Sequence, residues 1–147
     1  MTAPTRSKSA LVDLVLDAST TIACALNESD RLAARTWERM KGDQALVPTL
    51  WWFELRNALV VNERRGRITE QQTARFLRNV ERLAITIDGT PDESGVLTLV
   101  RRHRLTVYDA AYLELAVRNA LPLATLDAML ATAAHSKRVP LFGDDAG

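Results

Sequence analysis

The chain has 147 residues, of which 47% are hydrophobic and 25% charged, and its formal net charge is +1. That profile belongs to one globular domain with one core; it excludes a disordered or fibrous polymer, and no apolar run approaches the roughly 18–20 residues that span a bilayer. So small a net charge exerts no global pull on nucleic acid, so any such binding must come from local patches or a bound cation.

Residues 1–10 are small and polar and read as a flexible N-terminal arm, leaving a single domain over 11–147. Residues 11–17 read as a short buried strand. They carry Asp13 and Asp17, so they are not the core of a signal peptide. The one cysteine, Cys24, excludes an internal disulfide and a Cys/His zinc pattern, and fits a reducing cytoplasm. Ser19 to Leu26 forms a short helix. Asp30 caps a helix to about Met40, which Gly42-Asp43 breaks. A second strand follows at Ala45–Val47. Pro48 then starts a long helix from Thr49 to Arg64, stopped by Gly66.

Thr69 caps the next helix, which runs to about Leu83, and Ile85–Ile87 is a third strand. Pro91 opens a helix to about His103, and Thr106 opens another to about Asn119. Leu123–Thr125 is a fourth strand, Asp127 starts a helix to about Ser136, and Val139–Phe142 is expected to form a last strand. Short aliphatic strands alternating with helices imply an α/β chain whose short, mainly parallel sheet is covered on both faces, a three-layer α/β/α sandwich.

In open sheets of this kind, ligands bind beyond the carboxyl ends of the strands. Asp17 ends the first strand, Glu54 lies about two turns into the helix after the second, Asp109 opens the Thr106 helix and Asp127 follows the fourth strand. A helix from 109 to 119 travels roughly 15 Å away from the sheet edge, and the strand to 126 returns roughly 13–16 Å. Asp109 and Asp127 therefore end at the same edge. Asp17 and Asp127 also read as plain helix caps, and Thr106-x-x-Asp109 resembles a capping box. Glu54 is different. Its helical neighbours Leu50, Trp51, Asn57, Ala58 and Val61 make a largely apolar face without a basic residue, so the carboxylate there needs a partner. Carboxylates converging without a cation repel one another, so either several are protonated or a divalent ion holds them. An all-oxygen donor set points to Mg²⁺ or Mn²⁺ rather than Zn²⁺.

Four segments carry a family resemblance. Leu14-Val15-Leu16-Asp17-Ala18-Ser19, Glu54-Leu55-Arg56-Asn57-Ala58-Leu59, Thr106-Val107-Tyr108-Asp109-Ala110-Ala111-Tyr112-Leu113 and Pro122-Leu123-Ala124-Thr125-Leu126-Asp127 resemble, in order and spacing, the four motifs of PIN domains. The match covers about residues 12–142, and in size and motif detail the chain looks like a VapC toxin of a type II toxin–antitoxin pair. The resemblance implies a Mg²⁺-dependent endoribonuclease in which Asp17 and Asp109 are the main metal ligands, while Glu54 and Asp127 complete the site or hold a second ion. It also implies metal-activated water leaving 5′-phosphate and 3′-hydroxyl ends, a homodimer, silencing by a small VapB-type antitoxin in a larger complex, and no membrane association. The arm before the first strand is longer than the family's, and Trp51-Trp52-Phe53 is bulkier than its usual pattern beside the acid.

The flanking residues admit two readings each. Ser19 and Thr125 either orient water at the site or cap local backbone. Arg101, Arg102 and Arg104, or Arg64, Arg65 and Arg67, either contact RNA phosphates or form solvated helix ends. Only Lys8, Lys41 and Lys137 are lysines among 19 basic residues; the bias to arginine suits phosphate binding or reflects genomic composition. His103 and His135 are expected to be exposed, which leaves no protein nucleophile or base. Trp52, Phe53 and Val60 point away from the core face of their helix, so either a partner or the chain itself must cover them. The rival reading is a non-catalytic PIN-like or receiver-like binding or signalling module. A receiver needs a lysine after a late strand, but Lys137 precedes its strand; an aspartate phosphatase needs an acid where Ser19 stands.

Overall fold

The computed structural model describes residues 12–26 and 29–143; the expected arm at 1–10 lies outside the described residues. Four strands, β1 (Leu14–Leu16), β2 (Gln44–Pro48), β3 (Ala84–Asp88) and β4 (Leu123–Ala124), form one parallel sheet in the order β3-β2-β1-β4. Val15 sits at its centre, in register with Leu46 on one side and Leu123 on the other, and is fully buried. Strands covered on both faces read as continuous aliphatic runs, as β1 and β2 do. The edge strand β3 leaves Thr86 and Ile87 exposed.

Seven helices cover the sheet: α1 (Ala18–Leu26), α2 (Arg31–Met40), α3 (Thr49–Arg64), α4 (Glu70–Glu81), α5 (Glu93–His103), α6 (Val107–Asn119) and α7 (Ala128–Ser136). The architecture is the expected three-layer α/β/α sandwich. α1 packs on α2 and α3, and the Trp51 indole N–H donates to Thr21 Oγ1 at 3.1 Å to tie α3 to α1. α6 crosses β1, β2 and β4 and packs against α5 and α7. All seven residues from Ala110 to Ala116 are buried, so the middle of this helix is enclosed on every side, while its first turn, with Val107 and Tyr108, reaches the surface.

Local signals set most helix starts. Asp30 accepts from Ala33 N–H, Thr106 from Asp109 N–H and Asp127 from Leu130 N–H, while Thr69 and Gln72 form a reciprocal capping box. At α5 the cap is Asp92 rather than Pro91: its carboxylate accepts from Gly95 N–H at 2.9 Å. Gly95 permits this close approach, since a Cβ there would stand 2.8 Å from Asp92 Oδ2.

The expected last strand at Val139–Phe142 is not a strand. It is reduced to a single bridge from Leu141 to Leu123, with Leu123 N–H donating to Pro140 O and Phe142 N–H to Leu123 O, both at 2.9 Å. Pro140 has no N–H to extend a ladder, and Gly143 turns the chain at a φ of 105°.

Candidate functional site

The carboxyl edge of the sheet gathers acids from four separate segments. Asp17 follows β1 directly; its backbone N–H donates to Ala124 O at 3.0 Å and its side chain is buried. One carboxylate oxygen, Oδ2, accepts from Ser19 Oγ at 2.8 Å and from Thr125 Oγ1 at 2.5 Å. Each hydroxyl accepts in return: Ser19 from Leu126 N–H and Thr125 from Asp127 N–H, both at 3.0 Å. Because their own protons go to Asp17, these hydroxyls fix its carboxylate and stitch the β1–α1 turn to the β4–α7 turn. Thr125 thus caps local backbone, as one of its two readings had it, Ser19 caps a backbone N–H of the distant β4–α7 turn, and both hold the first acid.

Asp127 caps α7, with Oδ1 accepting from Leu130 N–H at 2.8 Å. Asp109 stands half-exposed in the first turn of α6, its N–H bonded to Thr106 Oγ1 at 3.0 Å. Asp127 is therefore the cap residue that the sequence allowed, whereas Thr106 alone caps α6 and the reciprocal bond of a capping box from Asp109 is not formed; both acids also act on the neighbouring acids. Glu54 is half-buried in α3, and its Oε1 accepts from the Tyr112 hydroxyl at 2.6 Å. The sequence left Glu54 without a protein partner; the structure supplies one. Tyr112 was the residue to find, because it lies three positions after Asp109 on α6 and so shares its face.

Electrostatics bind the four into one cluster. Burial pushes the Asp17 carboxyl above its ordinary value despite the two hydroxyl bonds, and Asp127 pushes it further. Burial raises Glu54 against the pull of the Tyr112 bond, with Asp17 and Asp109 adding. Burial raises Asp109, with Asp127 and Asp17 adding. Among the described residues, no lysine or arginine acts on any of the three. Arginine and lysine partner other acids instead: Arg39 pairs with Asp43, Lys41 with Glu38, and Arg118 with both Asp88 and Glu114.

A divalent cation suits this chemistry: hard oxygen donors, mutual repulsion, and no basic side chain to offset it. Among the described residues, no three His, Cys, Asp or Glu side chains close up tightly enough to form a finished cage. Mg²⁺ does not require one, since it usually takes one or two carboxylates and fills its other positions with water and substrate phosphate. The donor set therefore fits an open site for a hard cation.

Other residues fall as follows. Arg101, Arg102 and Arg104 are exposed at the end of α5, just before the turn into α6. Arg104 there adopts a left-handed φ of 54°. Arg64, Arg65 and Arg67 are exposed after α3. His135 is exposed as expected, but His103 is half-buried with an enclosed Nε2. The Cys24 thiol bonds Ala33 O, and burial with the nearby Asp30 pushes it up to about 11, which makes it a poor nucleophile. Trp52 and Phe53 are exposed and meet edge-on with centroids 5.0 Å apart, and Arg56 stacks 3.9 Å from Trp52. The chain's own fold therefore does not enclose that face of α3.

An α/β/α sandwich with an acid cluster at the carboxyl edge of its sheet belongs to the nuclease kind of fold. Residues 14–136 match the PIN domain family model, and the chain belongs to that family, whose members are typically nucleases that use divalent metal ions. It is also similar to the crystal structure of PAE2754 from Pyrobaculum aerophilum, with 27% identity, a TM-score of 0.67, and coverage of 83% of this chain and 84% of that one. No curated protein matches. No helix among the described residues is long and apolar enough to cross a membrane.

Proposed function

We propose that the protein is a Mg²⁺-dependent endoribonuclease acting as the toxin of a VapBC-type pair, with Asp17 and Asp109 as principal metal ligands and Glu54 and Asp127 completing the site. One observation carries this reading: four acids from distant segments act on one another at one sheet edge, with no basic side chain among them. Mn²⁺ is the other hard ion the donor set admits.

When bound, such an ion supplies Lewis-acid polarisation of a phosphoryl oxygen and acidifies water. The chain's own residues prepare for it. Ser19 and Thr125 occupy Asp17 Oδ2, so the buried carboxylate is held in one orientation. The buried middle of α6, Ala110 to Ala116, anchors the helix whose first turn carries Asp109. The exposed Arg101, Arg102 and Arg104 give the strand phosphates a cationic landing beside the acids. The exposed face of α3 around Trp52 and Phe53 suits a second subunit or an antitoxin helix, and a cytoplasmic location fits the single reduced cysteine.

The test is cleavage of a structured RNA by purified protein with Mg²⁺ or with EDTA, alongside Asp17→Ala and Asp109→Asn. Mg²⁺-dependent cleavage leaving 5′-phosphate ends, lost in both variants while their circular dichroism is unchanged, supports the reading. Equal activity in EDTA, or full activity in purified Asp109→Asn, removes it. A non-catalytic module would bind RNA or protein without any cleavage. Growth arrest on expression, relieved by a co-expressed antitoxin, tests the toxin role.

A further inference from the structure

Tyr112 is buried in the core of α6, only 1% exposed, yet its hydroxyl reaches the half-buried Glu54 of α3. The hydroxyl donates to Glu54 Oε1 at 2.6 Å, which commits its single phenolic proton to that carboxylate. A bond this short between a phenol and a carboxylate is a strong, orienting one. Glu54 Oε2 takes no hydrogen bond from any described residue. The phenol therefore ties up one carboxylate oxygen and leaves the other with its lone pairs open.

The same atom also sets a spacing. Tyr112 sits one turn after Asp109 on α6. One hydroxyl thus links the helix bearing Asp109 to the helix bearing Glu54. A flexible glutamate side chain loses rotamer freedom when it binds a cation, and a partner that holds it beforehand removes part of that penalty.

Resting on the metal site described under the proposed function, we propose that Tyr112 is a positioning residue that presents Glu54 to a divalent cation at the Asp17–Asp109 edge. It touches neither substrate nor reacting atoms. It acts through Glu54, as partners behind ligating side chains do in metal sites.

Tyr112→Phe removes only the oxygen. Mn²⁺ binding is measured by calorimetry on the full chain without RNA, beside wild type and Asp109→Asn. Tyr112→Phe is expected to bind Mn²⁺ about tenfold more weakly. In cleavage assays its half-saturating Mg²⁺ rises by a similar factor, while KM for RNA stays unchanged and kcat recovers at high Mg²⁺. Wild-type Mn²⁺ affinity and Mg²⁺ dependence in Tyr112→Phe, with Asp109→Asn impaired, overturn the role of Tyr112 alone. Wild-type Mn²⁺ affinity in Asp109→Asn overturns the metal site itself and this inference with it.

A second measurement does not depend on the Phe variant folding. The chain has two tyrosines, so in Tyr108→Phe the remaining ring is Tyr112. With ¹³Cζ-labelled tyrosine, Mg²⁺ is expected to shift its resonance saturably, at the same half-saturation as the calorimetric binding. A resonance that does not move at saturating Mg²⁺ overturns the proposal.

Discussion

Asp109→Asn separates a favourable first-turn charge from a repelling cluster, because the two roles predict opposite signs. As an anion in the first turn of α6, Asp109 gains about 0.3–1 kcal/mol from the helix dipole, which Asn forfeits. As a neighbour of Asp127 and Asp17, it suffers two like-charge contacts. At a half-exposed group, solvent screening limits each contact to about 0.5–1 kcal/mol. Partial burial of the charge adds to the unfavourable side, and the carboxyl is raised overall, so repulsion and desolvation outweigh the dipole. The amide keeps the shape, and the backbone N–H bond to Thr106 is untouched. Asp109→Asn is therefore expected to stabilise the metal-free protein near neutral pH by about 1 kcal/mol, or about 3 °C in Tm for a chain this size.

The assay is urea denaturation in EDTA at low salt, repeated across pH. The wild-type Asp109 carboxyl is raised in the fold from its ordinary 3.8, so the folded state binds its proton more tightly than the unfolded state does. The unfavourable contribution is absent below 3.8, grows as pH rises from there through the higher folded value, and is complete above it. The stability gap between variant and wild type must follow that course. Saturating Mg²⁺ should reverse the order by stabilising wild type more. A variant less stable than wild type in EDTA at neutral pH refutes the repulsion argument and leaves the helix dipole as the dominant effect at Asp109.

Thr125→Val removes one donor to a buried carboxylate and the acceptor for Asp127 N–H; a loss of about 2–3 kcal/mol is expected, and a loss below about 0.5 kcal/mol counts against the clamp on Asp17. Arg118 Nε and Nη2 hold both Glu114 oxygens at 2.6 and 3.1 Å and Nη2 also reaches Asp88 at 2.9 Å, so Arg118→Ala orphans a buried carboxylate. Full burial of such a charge costs about 3–5 kcal/mol on losing its partner; with Arg118 partly solvated, about 2 kcal/mol is expected in urea melts, only part of it restored by Arg118→Lys, whose point charge cannot span both carboxylates. Replacing Arg101 and Arg102 by Ala should weaken binding to RNA by the Asp109→Asn protein and reduce the slope of log affinity against log salt by about 0.7 per lost contact, as filter binding can show; an unchanged slope removes those residues from the interface.

Features decided within a few residues could be read from the chain alone. Asp30, Thr69, Thr106 and Asp127 announced helix starts because a short side chain reaches back N–H groups only two or three positions away. The strands β1 and β2 announced themselves as aliphatic runs, and counting helix rise against strand rise brought Asp109 and Asp127 to one edge. The failures were also local conflicts. Pro140 interrupts a run that is otherwise strand-like, and the helix expected to open at Pro91 starts only after Asp92, whose carboxylate accepts the capping hydrogen bond.

Tertiary structure decided what spans the chain. The strand order β3-β2-β1-β4, the Thr125–Asp17 bond across 108 positions and the Tyr112–Glu54 bond across 58 depend on which segments the core brings into contact. No local propensity encodes those pairings, since they are set by burying α6 between the sheet and its neighbouring helices. His103, polar in sequence and at a helix end, is partly enclosed for the same reason. The acids themselves were legible as residue types at strand ends. The rise in pKa of Asp17, Glu54 and Asp109 was not, because burial and mutual repulsion exist only once distant segments share one low-dielectric edge.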